Sequence, residues 1–591
     1  MDRIGKVGPE TTTSAPVRRR RVLAAAVGAA GVAILAACGG DPPTAANATS
    51  ATGGTPTATG SSMRTSTGVT AASTAPASAP VPTPVASAMV AGSAPAEGFF
   101  PSPVSGVPDA YTKLPPSFAS VAAIPGRGGK VTALITSNLP PTPPRDQNRY
   151  WQELEKRLGV TWEPTLVPGS SFEEKFATAV GSGDLPDLVT LNPTPSQLRA
   201  IQQGAFTDLT PYLTGDALKE YPNLAKIPAA VWQSLAIRGK LYGTPKTRYR
   251  AGDVLLFRGD WLEKLGISAP KNADEFLQLA TAVTKNDPDG NGKADTFALG
   301  SGGGPFSPTF FRQMFRVPNE WRKNPDGTLT YFLETDEFRQ TLAYMNKLFA
   351  AGVYHPDAGT MNQEQARSGF ASGKFAGFGG TITGVPDRTK DIAPINAAAK
   401  VVGLISPGFD GGKALAYNNP GYFNFAAIPA KVGRDRERVK TLLRLLDYWS
   451  APFGSEEWLF ITNGLKDVHH ALDRDGAPIR TDLGQREIGD LSYVVNGPFV
   501  FFNAQIPEMA RYQQRLAQDL LAIGSDSPTQ GLFSPTFVTK GTELAQLQLD
   551  RTVAIVTGRE PLAALDVWIK DWRSRGGDII RKEYEEALKA G

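Results

Sequence analysis

The chain has one cysteine, Cys38, and three histidines in 591 residues. A single cysteine excludes disulfides within the chain, CxxC redox chemistry and cysteine-rich zinc sites. The sequence also lacks HExxH, GxSxG, GxxxxGKS/T and GxGxxG. These motifs mark zinc proteases, serine hydrolases, phosphate-binding loops and dinucleotide-binding folds, so none of these classes has support here.

An excess of basic charge is also missing from most of the chain. The net charge is +4, and the first 38 residues carry six basic and two acidic side chains, which accounts for all of it. The rest of the chain contains 55 basic and 55 acidic residues. Nucleic-acid-binding proteins carry a strong basic excess, so we predict no nucleic-acid partner.

The first 37 residues have the pattern of an export signal. Four arginines at 18–21 precede an uncharged run of 16 residues at 22–37, which is shorter than the ~20 residues of a membrane span. The run ends in Leu-Ala-Ala-Cys, which resembles the lipobox of bacterial lipoproteins. The resemblance implies cleavage after residue 37 and a palmitate-type lipid on Cys38, which would anchor the protein at the extracytoplasmic membrane face. The arginines suit either Sec or twin-arginine export.

Residues 38–127 are interpreted as a disordered tether. From 39 to 98 the chain is rich in Ala, Thr, Ser, Pro and Gly, with only three charged residues, Asp41, Arg64 and Glu97. A segment without apolar periodicity cannot bury enough surface to fold. Residues 99–125 are more hydrophobic and proline-rich, and we expect them to lie along the folded body.

The folded body is predicted to run from 128 to 591. Its first part alternates strand patterns near 130–135, 160–167 and 188–191 with helix patterns near 147–158 and 171–180. This order favours an α/β fold with a parallel sheet covered by helices. Ligands of such sheets bind at the carboxyl ends of the strands. Two further helices are predicted at the C-terminus, separated by Gly576 and Gly577.

Three later segments have an order and spacing that resembles a known family. They are GAFTDLTPYL at 204–213, RGKLYGTP at 238–245 and LLFRGDWLEKLG at 255–266. Behind a lipobox, this order is similar to that of the extracellular solute-binding proteins of carbohydrate ABC importers, in the large calcium-containing branch similar to alginate-binding proteins. The resemblance covers about 460 residues.

The resemblance implies a two-lobed periplasmic-binding-protein type II fold with interleaved lobes and hinge crossings. We expect lobe 1 to contain 128–249 and 417–495, and lobe 2 to contain 250–416 and 496–591. The crossings are expected near 243–250 and 417–429, and closure on a ligand would be a hinge motion. The resemblance also implies a monomer without catalytic residues that captures a sugar or oligosaccharide and delivers it to ABC permease subunits.

Candidate ligand contacts follow from the chemistry of sugar sites, which combine aromatic faces with a few polar groups. The aromatic residues in or near predicted turns and crossings are Trp232, Tyr242, Tyr249, Trp321, Tyr417, Tyr422 and Phe423. For each of them, packing in the core is the alternative. Arg248 and Arg250 are candidates to bind a carboxylate if the ligand is acidic, and a solvated or structural pair is the alternative. The tryptophans in helical patterns, including Trp458, are interpreted as packing residues.

One segment, DPDGNGKADT at 287–296, has the spacing of a calcium loop. Side-chain oxygens recur at positions 1, 3 and 5, a glycine stands at position 6, and Lys293 would offer its backbone carbonyl. Position 12 is alanine rather than the glutamate of an EF-hand, so other groups must complete the shell. The predicted ligands of a structural calcium ion are Asp287, Asp289, Asn291, Lys293, Asp295 and Thr296. A turn without metal is the alternative.

Two other functions stay open at this point. A surface-anchored polysaccharide-active glycoside hydrolase needs only two carboxylates about 5–10 Å apart, and the sequence has 57 acidic residues. A structural surface lipoprotein needs no ligand site. A binding protein should show an aromatic-lined cleft between two lobes, and a glycosidase two facing carboxylates.

Overall fold

The computed structural model describes residues 97–302, 304–474 and 476–590. Its strands, numbered in chain order, are β1 Phe99–Phe100, β2 Ala110–Tyr111, β3 Lys130–Ser137, β4 Thr161–Pro168, β5 Leu188–Leu191, β6 Gly243–Thr247, β7 Val254–Arg258, β8 Phe297–Leu299, β9 Trp321–Lys323, β10 Leu329–Tyr331, β11 Phe375–Gly380, β12 Val401–Leu404, β13 Ala416–Tyr417, β14 Tyr422–Ala427, β15 His470–Leu472, β16 Pro478–Arg480, β17 Phe501–Phe502 and β18 Gly524–Ser525. The α-helices are α1 Arg149–Leu158, α2 Phe172–Ser182, α3 Pro195–Gln202, α4 Thr210–Leu213, α5 Ala229–Leu235, α6 Gly259–Leu265, α7 Ala273–Lys285, α8 Pro308–Met314, α9 Asp336–Ala350, α10 Gln363–Ala371, α11 Gly384–Ile392, α12 Arg436–Trp449, α13 Glu456–Asn463, α14 Asp482–Ile488, α15 Pro507–Leu521, α16 Pro535–Val556, α17 Ala564–Trp572 and α18 Asp578–Ala590.

The first sheet has the strand order β4-β3-β5-β14-β6. β3 pairs in parallel with β4 and β5, whereas β14 runs antiparallel to β5 and β6. The central strand β5 is buried at all four positions, as expected for a strand covered by helices on both faces. We call the body around this sheet lobe 1.

The second sheet has the order β12-β7-β11-β8, with β7 antiparallel to both of its neighbours. All five residues of β7 are buried. Helices α7, α8, α9 and α17 contribute to one apolar core beside this sheet, and α10 and α15 to a second. We call this body lobe 2. Helix α16 belongs to lobe 2 but also reaches lobe 1, because Arg199 of α3 donates a hydrogen bond to the Val538 carbonyl at 3.0 Å.

Local sequence signals account for several helix ends. Asn272 begins α7, and its side chain accepts a hydrogen bond from the Glu275 backbone N–H at 2.8 Å, as its predicted capping role requires. The two C-terminal helices are separated at Gly576, whose φ of 125° is accessible to glycine at little cost. The predicted strands near 130–135, 160–167 and 188–191 lie within two residues of β3, β4 and β5.

Residues 97–127, which we call the strap, are ordered against the body, so the interpretation of 38–127 as one disordered tether is corrected. β1 pairs with β2, and β2 pairs in parallel with β17. Further along the strap, the backbone N–H groups of Ser120 and Val121 donate to the Glu457 carboxylate at 2.8 and 3.4 Å. The strap therefore contacts lobe 2 first and lobe 1 second. Residues 99–125 lie along the folded body as their apolar composition predicts.

The predicted signal, the lipidation site Cys38 and most of the tether lie outside the described residues. Within the described part of the chain, none of the helices combines the length and the apolar character that a membrane crossing requires.

Candidate functional site

Three chain crossings connect the two lobes. The first, residues 248–253, joins β6 to β7; the second, 418–421, joins β13 to β14; and the third runs from 496 to 503. Hydrogen bonds tie the first two together, because the Asn419 backbone N–H donates to the Arg250 carbonyl at 2.7 Å. The third is tied to the first through Asn496, whose Nδ2 donates to the Thr247 carbonyl at 3.2 Å. The crossings thus form one hydrogen-bonded hinge.

The larger cavity beside the hinge has a volume of about 680 Å³. Its wall comes from α13, β16 and α14 of lobe 1, from α11 of lobe 2, and from the third crossing. We call it the aromatic cavity after the rings that line it: Phe453, Trp458, Phe499, Phe501 and Phe502. Its position between the lobes and its size suit a ligand of a few sugar rings.

The rings of the aromatic cavity support one another. The Phe453 ring lies 4.6 Å from the Trp458 ring, edge to face, and 4.9 Å from the Phe502 ring. On its other side, Phe453 lies 4.6 Å from Tyr111 of the strap. Such pairs hold each ring in one orientation, so the cavity has a preformed apolar wall.

Amide side chains supply the polar part of the same wall. The lining contains Asn463, Asn496, Asn503, Gln485, Gln505 and Gln513. Amides donate and accept hydrogen bonds, which suits sugar hydroxyls. Three charged side chains also line the cavity: Asp387, Lys390 and Arg480. Burial raises the pKa of Asp387.

A smaller cavity of about 300 Å³ lies beside the second crossing. It is lined by Pro193 and Leu198 of lobe 1, by Tyr422 and Phe425 of β14, and by a lobe 2 segment near Phe533. Of the predicted ligand contacts, Tyr422 reaches this cavity, although its side chain is largely buried. Burial raises the pKa of Tyr422 to about 12.

Three predicted aromatic contacts lie in the apolar cores, which corrects their assignment as ligand platforms. Trp232 is 1% exposed and belongs to the core of lobe 1. Tyr249 is 1% exposed and packs against Phe499 and Phe501. Trp321 is 5% exposed and packs in the core of lobe 2. Their ring faces are taken up by protein neighbours.

Of the other three aromatic candidates, two pack within the protein and one has a partly exposed ring. Tyr417 donates a hydrogen bond to the Val317 carbonyl at 2.8 Å, which fixes it within lobe 2. Tyr242 packs at the edge of the lobe 1 core. Phe423 is 41% exposed beside the first crossing and can offer a ring face to a ligand.

The structure separates the two predicted arginines. Arg250 Nη2 donates to the Asp526 carboxylate at 2.5 Å, so its charge is paired. Among the described residues, Arg248 makes one side-chain hydrogen bond, to the Tyr249 hydroxyl at 3.4 Å, and its guanidinium lies 5.9 Å from the Phe423 ring. Burial also lowers the pKa of the nearby Lys246 well below its ordinary value. Sequence reasoning missed Lys246, because its strand position alone does not reveal its burial.

The predicted calcium loop brings its carboxylates together. Asn291 Nδ2 donates to Asp289 at 2.9 Å and to Asp295 at 3.0 Å, and Asp287 accepts backbone hydrogen bonds from Gly290 and Gly292. Burial, the hydrogen bond with Asp287 and the neighbouring negative charges raise the pKa of Asp289. Two carboxylates, Asp289 and Asp295, therefore meet at the Asn291 amide, and Asp287 lies on the backbone of the same turn. Carboxylate and amide oxygens are ligands that Ca²⁺ accepts.

One predicted ligand takes a different position. Thr296 is 2% exposed, and its hydroxyl is directed to the Val283 carbonyl of α7 rather than to the loop. Lys293 donates its backbone N–H to the Asn291 side chain at 2.8 Å. Among the residues that the structure describes, no group of three or more His, Cys, Asp or Glu already stands in ligand geometry around one point. Binding of a cation therefore requires rotation of the loop side chains.

The residues of the aromatic cavity were missed at the sequence level. Trp458 lies in a helical pattern and was interpreted as a packing residue, but it lines the cavity. The third crossing was missed as well, although the sequence NGPFVFFN at 496–503 combines a Gly-Pro turn with three aromatic and two amide residues. Such a segment between two helical regions is the signal that could have identified it.

Comparisons with known proteins agree with this architecture. Residues 145–446 match the family described as bacterial extracellular solute-binding protein. The polygalacturonan/rhamnogalacturonan-binding protein YtcQ of Bacillus subtilis is 27% identical over 456 residues, 76% of this chain and 89% of the relative. Lipoprotein LipO of the same organism is 26% identical over 488 residues, 78% of this chain and 93% of the relative.

Among solved structures, the Streptococcus pneumoniae ABC-transporter substrate-binding protein FusA in complex with kestose is similar with a TM-score of 0.57 and 18% identity, covering 78% of this chain and 99% of that one. An EF-hand mutant of FusA has been solved as well. The likeness confirms the predicted two-lobed α/β fold. Since the family match spans half of the chain, the protein belongs to the bacterial extracellular solute-binding proteins.

Proposed function

We propose that this protein captures an oligosaccharide outside the cytoplasm and delivers it to the permease subunits of an ABC importer. The observation that carries the proposal is the aromatic cavity between two lobes, where amide side chains lie beside three partly exposed aromatic rings, Trp458, Phe499 and Phe502. Sugar rings stack on aromatic faces, and amides satisfy their hydroxyls. YtcQ and FusA, which are similar to this chain, are named for a polysaccharide and shown with an oligosaccharide.

Binding is tested with the soluble chain from residue 97 and a panel of oligosaccharides, by thermal shift and then calorimetry. We expect Trp458→Ala to weaken binding at least fivefold, because truncation of an aromatic ring that anchors a ligand costs about 1 kcal/mol or more. Trp458→Phe should retain most of the affinity. Trp151→Phe is the matched control, since Trp151 packs on the lobe 1 core. Equal affinity of the Trp458→Ala protein would refute the assignment of the cavity.

A glycoside hydrolase remains the alternative from another class, and the cavity argues against it. Asp387 is the sole carboxylate among the described residues that line the aromatic cavity, whereas a glycosidase places two carboxylates across the scissile bond. We expect a bound oligosaccharide to be recovered unchanged after prolonged incubation. Release of shorter products, lost in Asp387→Asn, would establish the hydrolase instead.

We propose that Cys38 carries the lipid that anchors the protein. The proposal rests on the lipobox-like sequence and on similarity to a relative named as a lipoprotein. Cys38→Ser should move the protein from the membrane fraction to the medium, while Ser61→Ala in the tether should leave it membrane-bound. Retention of the Cys38→Ser protein in the membrane fraction would contradict lipid anchoring.

We also propose that the loop at 287–296 binds calcium as a structural clip. Asp287, Asp289 and Asp295 would supply carboxylate oxygens and Asn291 its amide oxygen, since an amide can present either end. The loop follows α7 and precedes β8, so a bound ion would hold the end of a core helix to a strand of the second sheet. The FusA EF-hand mutant shows that a related structure has a loop of this class.

A further inference from the structure

The two lobes contact each other outside the hinge crossings. Helix α3 of lobe 1 lies against helix α16 of lobe 2, and the Arg199 guanidinium of α3 donates to the Val538 carbonyl of α16 at 3.0 Å. These two residues are 339 positions apart in the sequence, and neither helix adjoins a crossing. The contact therefore depends on how the lobes are arranged and not on how the chain connects them. We call α3 and α16 the latch helices.

A glycine brings the latch helices close together. Gly541 is buried within α16, and a Cβ atom added to it would lie 2.9 Å from Cγ of Pro195, the first residue of α3. Phe537 of α16 lies 3.0 Å from the same point, but its side chain can rotate, whereas the ring of Pro195 is fixed to the backbone. A glycine inside a helix lowers helix stability relative to alanine. Close packing between the lobes accounts for glycine at this position.

Each latch helix is held on its own lobe. On lobe 1, the Glu173 carboxylate of α2 accepts hydrogen bonds from the Thr194 hydroxyl at 2.9 Å and from the Gln197 amide at 2.6 Å, at the start of α3. On lobe 2, the Glu583 carboxylate of α18 accepts from the backbone N–H and the hydroxyl of Thr536, at 3.0 and 2.8 Å, at the start of α16. Because each helix moves with its own lobe, a rotation of one lobe against the other must break the contact.

The latch helices and the hinge border the same space. The cavity of about 300 Å³ is lined by Leu198 of α3, by Phe533 just before α16, and by Pro420 of the second crossing. A hinge rotation that separates the lobes here would widen this cavity and draw α3 away from α16. The contact between the latch helices is therefore made only when the lobes are closed.

We propose that α3 and α16 form a latch that stabilises the closed arrangement of the lobes, so that part of the population is closed before a ligand binds. A contact that is made in one of two states shifts the equilibrium toward that state. A ligand that touches both lobes then meets an arrangement that the protein already adopts. The inference concerns the fold and goes beyond the proposed function, since it holds for any ligand of the cleft.

Spin labels on the two lobes measure the closed fraction directly. The chain from residue 97 has no cysteine, so Lys175→Cys on α2 and Gln546→Cys on α16 supply the two labelling sites. Both residues are exposed. Interlobe distances are measured by double electron–electron resonance with no ligand added. We expect two distance populations, of which the shorter belongs to the closed arrangement.

Two variants of the labelled chain weaken the latch in different ways. Gly541→Leu should lower the ratio of closed to open molecules at least fivefold, because the added side chain overpacks the contact with α3. Arg199→Met removes the hydrogen bond to α16 and should lower the ratio about twofold or more; it also serves if Gly541→Leu fails to fold. The matched controls are Thr539→Leu, on the opposite face of α16, and Gln202→Met on α3. Both residues are exposed, so neither control should change the ratio.

The outcomes separate this proposal from the proposed function. Equal closed fractions in the labelled chain, in Gly541→Leu and in Arg199→Met would overturn the latch. A single open population in the labelled chain without further substitution would also overturn it. An equal loss of the closed fraction in Thr539→Leu would show a general effect of substitution in α16 and would overturn it too. Because no oligosaccharide is present, none of these results bears on sugar binding, which the oligosaccharide panel tests separately.

Discussion

Removal of the strap should destabilise the folded body, which sequence patterns alone predict to begin at residue 128. A chain that begins at residue 128 lacks β1 and β2. In the longer chain, β1 pairs with β2, and β2 pairs with β17. It also lacks Tyr111, which covers Phe453, and the two N–H groups that bind Glu457. We expect this shorter chain to melt at a lower temperature than a chain that begins at residue 97.

The contacts of the strap set the size of the effect. Three half-buried aromatic residues, two buried aliphatic ones and two hydrogen bonds contribute about 5–10 kcal/mol in total. The entropy lost when the strap is ordered offsets part of this sum, so we take about 5 kcal/mol as the upper value of the net contribution. If the strap is docked in at least nine-tenths of the folded molecules, docking adds at least about 1.4 kcal/mol to the free energy of unfolding, because the strap docks only on the folded body. The unfolding entropy of ~460 residues is about 1 kcal/mol per kelvin. Dividing the two limits by this entropy gives a fall in melting temperature of about 1–5 °C.

Differential scanning calorimetry of the two chains measures this shift, and Tyr111→Ala in the longer chain is the point variant that tests the aromatic contact alone. Oligosaccharide affinity should fall with it, since Phe453 supports Trp458 and Phe502 in the cavity wall. If both chains melt at the same temperature and bind alike, the strap does not support the cavity, and this reasoning is refuted.

Two further predictions concern charge. A calcium chelator should lower the melting temperature by several degrees, and Asp287→Ala should remove that sensitivity; unchanged melting with chelator would count against the calcium loop. Burial raises the pKa of Asp447 from 3.8 to about 6 in the folded protein. As pH rises from about 4 to 6, the unfolded chain releases this proton before the folded protein does. The free energy of unfolding should therefore fall by up to about 3 kcal/mol over that range. Asp447→Asn keeps the oxygen that accepts from Asn223 and Leu224 and should flatten that part of the curve in urea titrations.

The elements of the fold were predictable because their signals are local. Apolar periodicity placed β3, β4 and β5, and a single side chain, Asn272, set the start of α7. The calcium loop is equally local, since its spacing lies within ten residues of sequence. Its completion was not predictable: Thr296 is drawn to the Val283 carbonyl by the packing of α7.

The ligand site depends on long-range packing, which the sequence does not display. Trp232 and Trp458 both stand in short helices with apolar neighbours, yet one fills a core and the other lines a cavity. The difference arises because the third crossing returns beside α13 and leaves space there. In the same way, Arg248 and Arg250 are equivalent in sequence, and only the approach of Asp526 from lobe 2 pairs one of them.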